Sequence, residues 1–122
     1  MQHNPGFLKL VSEAKARVKE TDMAGYQGMR AAGTPHLLID TREESEFAAG
    51  HAVGALHLSK GIIERDIETR VPDKSAKLVL YCGGGFRSAL VADNLQQMGY
   101  TDVISLDGGW KAIAASGIPT EK

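Results

Sequence analysis

The sequence predicts an α/β fold, with a central parallel β-sheet flanked by helices on both faces and an extra N-terminal helix. After Pro35, short apolar runs of strand length alternate with helical stretches, and the runs cover residues 37–39, 55–58, 78–81 and 103–106. These runs lack the regular polar alternation of a half-exposed sheet, so they are typical of strands covered on both faces. Strands of that kind form parallel sheets with crossover helices.

Helical periodicity predicts the remaining elements. An amphipathic helix is expected over residues 4–20, because Asn4 suits the N-cap, Pro5 suits the first position, and apolar residues recur at helical spacing. A second helix is expected over residues 22–33, where Gly33 ends it. Further helical stretches separate or follow the apolar runs, at residues 43–49, 61–70, 86–98 and 109–116. In such folds the functional crevice lies beyond the carboxyl ends of the strands, so the residues after each run matter most.

Composition and charge exclude several classes of function. The 122 residues fit one domain, and a net charge of −1 excludes a nucleic-acid partner bound mainly by charge. No apolar run approaches the roughly 18 residues of a membrane helix, and the first residues lack the basic and apolar regions of a signal peptide. Cys82 is the only cysteine, which excludes an intramolecular disulfide and a multi-cysteine metal site. We therefore expect a cytoplasmic protein without a membrane, nucleic-acid or metal partner.

The segment after the third apolar run indicates nucleophilic chemistry at Cys82. Three glycines occupy positions 83–85, a predicted helix follows, and Arg87 supplies a nearby cation. The N–H groups of a glycine-rich loop and of a helix N-terminus favour a thiolate, which is the nucleophilic form of cysteine. If Gly84 adopts a positive φ, Gly84→Val would damage this loop. The alternative interpretation is a glycine-rich turn whose cysteine only packs.

Three segments, in this order along the chain, resemble the signatures of the rhodanese-like sulfurtransferases. The cysteine loop resembles the active-site loop of that superfamily. Before it, the first signature is matched by Asp40-Thr41-Arg42, Glu46-Phe47, Gly50-His51 and Gly54-Ala55. After it, the closing signature is matched by Leu106-Asp107-Gly108-Gly109-Trp110 and by Gly117-Ile118-Pro119. The sequence is thereby identified as a member of this superfamily.

The resemblance covers about residues 35–120 and leaves the first 20 or so outside. Val53 stands where proline is frequent, and Ile113 stands where tryptophan is common. We expect these departures to change turn rigidity and packing rather than chemistry. The chain is accordingly divided into an N-terminal helical extension, residues 1–21, and a rhodanese-like domain, residues 22–122.

The resemblance implies a two-step sulfur transfer that needs no metal or organic cofactor. The thiolate of Cys82 would take a sulfane sulfur from thiosulfate or a persulfide and pass it to cyanide, a small thiol or a protein thiol. The substrate-binding candidates that surround the sulfur are Gly83, Gly84, Gly85, Phe86, Arg87 and Ser88. The alternative function is a sulfur carrier or partner-binding module that holds the persulfide without turnover.

The spacing between Cys82 and Arg87 separates two enzyme classes of this superfamily. Phosphatase relatives have five intervening residues, whereas here only Gly83, Gly84, Gly85 and Phe86 intervene. This shorter loop resembles the sulfurtransferase form and argues against phosphatase activity. Because Arg87 is the only charged residue of the loop, we also expect weak turnover of the thiosulfate dianion. A persulfide of a small thiol or of a protein is then the better donor.

Other polar and aromatic residues of these segments have structural interpretations. Asp40 and Arg42 are secondary site candidates, but the favoured interpretation is that they form an ion pair or cap neighbouring backbone and so fasten the strand ends. Of the two, Arg42 is the better candidate for a contribution to the site. His51 is expected to hydrogen-bond between a helix and the next strand. Phe86 either borders the pocket or packs against neighbours, and Trp110 is expected to pack.

Two further groups are assigned to local structure. The carboxylates Glu43, Glu44 and Glu46 lie near a predicted helix start, where they complement the helix dipole and face solvent. Gly108 and Gly109 are expected to form a tight strand-to-helix turn with close packing.

Overall fold

The computed structural model describes residues 3–122, and its elements follow the predicted alternation of strands and helices. In chain order they are α1 (Pro5–Lys15), β1 (Lys19–Thr21), α2 (Met23–Ala31), β2 (Leu37–Asp40), α3 (Glu44–Ala49), β3 (His51–Ala52), β4 (Leu56–His57), α4 (Ile63–Arg70), β5 (Leu78–Tyr81), α5 (Phe86–Gln97), β6 (Val103–Leu106), α6 (Gly109–Ser116) and β7 (Thr120–Glu121). Five strands form a sheet in the order β1-β6-β5-β2-β4, and every pair in it is parallel. Strands β3 and β7 pair antiparallel in a separate small sheet. The predicted α/β fold is confirmed.

The predicted helix over residues 4–20 is wrong in its C-terminal part. Helix α1 ends at Lys15, and β1 pairs in parallel with β6, so that Lys19 lies opposite Ile104. The ladder continues where the Asp107 N–H donates to the Thr21 carbonyl at 2.8 Å. An edge of β6 without a neighbouring strand would leave backbone groups unpaired, and β1 satisfies them. The periodicity of residues 4–20 cannot reveal this pairing, because its hydrogen bonds are made with a strand that is distant in the sequence.

The large sheet is packed on both faces, which explains why its strands lack polar alternation. Along β5, Leu78 and Leu80 belong to one buried cluster, whereas Val79 and Tyr81 belong to the other. The first cluster includes residues of α4 and α5, namely Ile63, Ile67, Val91, Ala92 and Leu95. The second includes residues of α2 and α6, namely Tyr26 and Ile113. Consecutive residues of β5 therefore enter different cores, and all of them are apolar.

The N-terminal helix packs against α5, the helix that follows the cysteine loop. Val11 and Ala14 are buried. Arg17 then donates two hydrogen bonds to the Asp93 carboxylate of α5, at 2.7 and 3.1 Å. These contacts hold α1 and the residues that follow it against α5. The domain boundary between residues 21 and 22 stays a prediction. None of the helices within residues 3–122 has the length and hydropathy of a membrane span.

Candidate active site

Cys82 lies at the carboxyl end of β5, the middle strand of the large sheet. Its neighbours β2 and β6 run parallel to β5, so the carboxyl ends of the central strands meet at this edge. The cysteine is 1% exposed, and α5 begins a few residues later at Phe86. The arrangement brings a thiol, a glycine-rich loop and a helix N-terminus together, which is what binds and stabilises an anion.

Backbone and side-chain groups contact the sulfur directly. The Gly85 N–H donates to Cys82 Sγ at 3.1 Å, and Ser88 Oγ lies 3.6 Å from the same sulfur. Ser88 Oγ in turn hydrogen-bonds Ser105 Oγ of β6 at 2.8 Å. Ser88 and Ser105 are both buried. In this contact the Cys82 thiol donates to Ser88 Oγ, so the pair of hydroxyl groups lies directly beside the sulfur. The sequence interpretation did not identify Ser105.

The left-handed residue of the loop is Gly85, not Gly84. Gly85 has a φ of 104° and occupies the N-cap position of α5, whereas no positive φ occurs at Gly84. A Cβ at Gly84 would meet nothing within 4 Å. The condition under which Gly84→Val was expected to damage the loop, a positive φ at Gly84, is therefore not met. The N–H that reaches the sulfur comes from the residue that makes the turn.

The N-terminus of α6 binds the carbonyl groups of the cysteine loop. The Trp110 N–H donates to the Cys82 carbonyl at 2.7 Å, and the Lys111 N–H donates to the Gly83 carbonyl at 3.3 Å. Gly109 permits this approach, because a Cβ there would lie 2.9 Å from the carbonyl carbon of Gly83. The predicted close packing of the Gly108-Gly109 turn is confirmed, and its partner is the cysteine loop. Carbonyl oxygens engaged by α6 are directed to that helix, so they do not oppose negative charge on the sulfur.

Arg87 forms an ion pair with Glu46 of α3. The guanidinium donates to the two carboxylate oxygens at 3.0 and 3.2 Å. These hydrogen bonds raise the pKa of Arg87 above its ordinary value and lower the pKa of the Glu46 carboxyl. The expectation that Glu46 simply complements its helix and faces solvent was incomplete. The position of Glu46 in the first signature is the sequence feature from which its pairing with Arg87 could have been predicted.

The loop borders a cavity of about 870 Å³. Of the predicted site residues, Cys82, Gly83, Gly84, Phe86 and Arg87 line it, whereas Gly85 and Ser88 contact the sulfur without lining it. The remaining lining residues come from α1, from α6 and from their flanks, namely His3, Phe7, Gly108, Lys111 and Ala112.

Phe86 both packs and lines this cavity, so the two interpretations of its role are compatible. Its ring centroid lies 5.0 Å from that of His3 and 6.2 Å from that of Phe7. Sequence reasoning did not assign His3 or Phe7 to the site. Nothing in the local pattern distinguishes Phe7 from the apolar face of an ordinary helix, and His3 precedes that helix.

Asp40 and Arg42 do not line the cavity. They form a buried ion pair with a shortest contact of 2.7 Å, and Arg42 also donates to the Gly50 carbonyl at 2.6 Å. Burial alone would lower the pKa of Arg42, but its hydrogen bonds and charge pairing with Asp40 raise it above its ordinary value. The Arg42 guanidinium lies 4.7 Å from the ring centre of Trp110. The ion pair expected between Asp40 and Arg42 is confirmed, and so is the packing role of Trp110.

His51 has the structural position expected for it. Its Nδ1 lies 2.8 Å from the Phe47 carbonyl of α3, and its ring stacks on Phe47 with centroids 3.6 Å apart. It thereby joins α3 to β3. Within residues 3–122, no three histidine, cysteine, aspartate or glutamate side chains are grouped so that they could hold a metal ion.

The chain is similar to small sulfurtransferases. It is 35% identical to thiosulfate sulfurtransferase GlpE of Pseudomonas fluorescens over 70% of this chain and 74% of that protein. It is 36% identical to thiosulfate sulfurtransferase PspE of Escherichia coli over 62% of this chain and 72% of that protein.

A solved structure matches nearly the whole chain, including the N-terminal helix. It belongs to a protein of unknown function from Rhodopseudomonas palustris that is described as a possible tyrosine phosphatase. The match has a TM-score of 0.85 and 27% identity, and it covers 99% of this chain and 98% of that one.

The family model for the rhodanese-like domain matches residues 22–116. The chain therefore belongs to the rhodanese-like domain family.

Proposed function

We propose that this protein is a sulfurtransferase that carries sulfane sulfur on Cys82. The observation that carries the proposal is the position of the Cys82 sulfur beside a cavity, with the Gly85 N–H 3.1 Å from it. A donated hydrogen bond and a helix N-terminus stabilise negative charge on the sulfur before and after the reaction. The sulfurtransferases among its relatives support the same chemistry.

In the first step the Cys82 thiolate attacks the terminal sulfur of the donor. A new S–S bond forms to Cys82, and the donor's own S–S bond breaks. With thiosulfate the bonding electron pair leaves on sulfite, and with a persulfide it leaves on a thiolate. The charge is conserved, because thiolate and donor anion become persulfide anion and leaving anion. The electropositive loop stabilises the negative charge of the persulfide as it does that of the thiolate.

In the second step a thiophilic acceptor attacks the terminal sulfur of the Cys82 persulfide. Cyanide becomes thiocyanate, and a small thiol or a protein thiol becomes a persulfide, while the electron pair of the broken bond returns to Cys82. No external oxidant or reductant is consumed in either step. Such chemistry needs a reduced cysteine, which fits the proposed cytoplasmic location.

Phosphatase activity is the alternative raised by the Rhodopseudomonas palustris relative. Four residues separate Cys82 from Arg87, and Arg87 is bound to Glu46 instead of being free to clamp a phosphate. Both observations favour sulfur transfer. Hydrolysis of p-nitrophenyl phosphate by wild type and its loss in Cys82→Ser would support the phosphatase instead.

A carrier without turnover uses the same cysteine and is separated by kinetics. A carrier would load one sulfur per molecule and release thiocyanate no faster than a free persulfide does. A sulfurtransferase would produce many equivalents of thiocyanate in the steady state.

The central test is intact-protein mass spectrometry of wild type and Cys82→Ser after incubation with thiosulfate or glutathione persulfide. We expect wild type to gain one sulfur that cyanide removes, and the serine variant to gain none, because a neutral hydroxyl is a far weaker nucleophile. Reversal by cyanide matters, since oxidation of cysteine to the sulfinic acid adds nearly the same mass irreversibly. Absence of a reversible gain with both donors would contradict the proposal.

A further inference from the structure

The cavity beside Cys82 has an aromatic wall that the N-terminal helix supplies. His3 and Phe7 line the cavity together with Phe86, the first residue of α5. Their rings lie within contact range, with centroids 5.2 Å apart for His3 and Phe7. These two residues lie outside residues 22–116, the region that the family model matches. The aromatic wall, defined here as His3, Phe7 and Phe86, thus combines two residues from outside the family match with one from inside it.

The charges around the cavity suit one negative charge better than two. Two cationic side chains line it, Arg87 and Lys111. The charge of Arg87 is balanced by Glu46, whereas Lys111 is exposed at the start of α6. Lys15, which lies 5.5 Å from the ring centre of Phe86, is paired with Glu20 at 2.7 Å. A dianion such as thiosulfate therefore finds little uncompensated positive charge here.

An apolar group bound against the aromatic wall is removed from water within reach of the sulfur. Three aromatic rings and the methyl group of Ala112 line the same cavity as Cys82. A donor with an apolar carbon body gains binding free energy from this burial, and a purely inorganic anion does not. This binding free energy raises the reaction rate only if the carbon body of the donor stays bound in the transition state. It does so because the carbon body is attached to the reacting sulfur.

We propose that His3 and Phe7, together with Phe86, determine donor specificity and select a singly charged organic sulfane-sulfur donor over inorganic thiosulfate. The class includes organic persulfides and thiosulfonates with an aliphatic or aromatic body. The proposal rests on the sulfur transfer proposed above. The Cys82 thiolate attacks the terminal sulfur of the thiosulfonate, a Cys82–sulfur bond forms, and the donor's S–S bond breaks with its electron pair leaving on the sulfinate. Thiolate and thiosulfonate anions thereby become persulfide and sulfinate anions.

Two thiosulfonates isolate the effect of the carbon body. Methanethiosulfonate and benzenethiosulfonate carry the same charge and release the same type of leaving group, whereas thiosulfate serves as the dianionic comparison. The measured quantity is kcat/KM for thiocyanate formation with cyanide as acceptor. For each protein, the ratio of kcat/KM for benzenethiosulfonate to that for methanethiosulfonate is divided by the corresponding ratio of rates with free cysteamine. This correction removes the intrinsic difference in reactivity between the two donors. We expect wild type to prefer benzenethiosulfonate by at least about ten-fold after this correction.

Variants of α1 test whether the aromatic wall is the cause. Phe7→Ala should reduce the preference for benzenethiosulfonate over methanethiosulfonate by about five-fold, because it removes apolar contact area. Phe7→Leu should retain most of the preference. Leu10→Ala is the matched control, since Leu10 lies on the same helix and is 59% exposed, and it should leave the preference unchanged.

Each result supports or overturns the proposal. Equal corrected rates for the two thiosulfonates in wild type would overturn it. A Phe7→Ala variant that loses activity equally with all donors would also overturn it, because such a loss indicates a structural role for Phe7. If wild type loads sulfur reversibly but Phe7→Ala keeps the wild-type preference for benzenethiosulfonate over methanethiosulfonate, the donor selection is overturned and the sulfur transfer stands. No loading from any donor would overturn the sulfur transfer and donor selection together.

Discussion

Glu46 and Arg87 bind each other through two hydrogen bonds of 3.0 and 3.2 Å, which tie the first turn of α3 to the first turn of α5. The two residues are separated by 41 positions. The pair has two effects, since it fixes the arginine of the cysteine loop and balances its charge. The direct contacts of the sulfur are made instead by the Gly85 N–H and the Ser88 hydroxyl.

The first prediction concerns the pH dependence of stability. Because the hydrogen bond from Arg87 lowers the pKa of the Glu46 carboxyl below its usual 4.5, the pair stabilises the folded state above that value. The contribution is lost as the pH falls through the lowered pKa of the folded state. Both side chains are about one-third exposed, so the contribution is expected to be about 0.5 kcal/mol. Urea unfolding should show Glu46→Gln less stable by this amount at pH 7.

The control for this prediction is Glu44→Gln, a neighbouring carboxylate in the first turn of the same helix. The difference between wild type and Glu46→Gln should shrink toward zero near pH 3, whereas that for Glu44→Gln should stay small throughout. A Glu46→Gln difference that is constant between pH 3 and pH 7 would contradict the assignment of the pair.

The second prediction compares two adjacent glycines of the loop. Gly85→Ala should destabilise the protein by about 1–2 kcal/mol, because an L residue at positive φ is strained. Its Cβ would also lie 3.2 Å from the backbone of Asp107 and Gly108. Sulfur loading should fall along with stability, since the Gly85 N–H contacts the sulfur. Gly84→Ala is the matched control, because its Cβ would meet nothing within 4 Å. Equal losses of stability in the two variants would show that the turn does not lie at Gly85.

The third prediction concerns the buried pair of Asp40 and Arg42, which are 0% and 3% exposed. Asp40→Asn should cost about 3 kcal/mol in the free energy of unfolding, because it leaves a buried guanidinium without its counter-charge. The control is Asp66→Asn, which removes a carboxylate from an exposed pair with Arg65 and should cost much less. Urea unfolding measures both variants. A loss for Asp40→Asn no larger than that of the control would mean that Arg42 finds another partner.

The fourth prediction concerns the hydroxyl pair of Ser88 and Ser105. Ser88→Ala leaves the buried Ser105 hydroxyl without the partner that it has at 2.8 Å, at a cost of about 1–2 kcal/mol. The double variant Ser88→Ala, Ser105→Ala removes both groups, so its loss of stability should be smaller than the sum of the two single losses. Sulfur loading should fall about ten-fold or more in either variant that lacks Ser88, since a hydrogen bond to an ionised group contributes about 1.5–3 kcal/mol. Additive losses of stability would refute the coupling of the two hydroxyls.

Local pattern was sufficient to predict most of the parallel sheet and the position of Cys82 at the end of its middle strand. The strand β5 and the glycine-rich loop after Cys82 are adjacent in the chain, so their geometry follows from residues that the sequence shows side by side. The helix expected over residues 4–20 was wrong beyond α1 for the opposite reason. Residues 19–21 become a strand because β6, more than 80 positions away, offers its backbone groups.

The sequence by itself determined the α/β fold, the family of this protein and Cys82 as the candidate nucleophile, because these depend on short-range periodicity, the positions of glycines and the spacing of motifs. Only the tertiary structure decided which groups surround the sulfur. Glu46 reaches Arg87, Ser105 reaches Ser88, and α1 brings Phe7 to the cavity through packing between segments that are distant in the chain. Such contacts arise from the burial of apolar surface and the satisfaction of polar groups over the whole molecule, which no local pattern encodes.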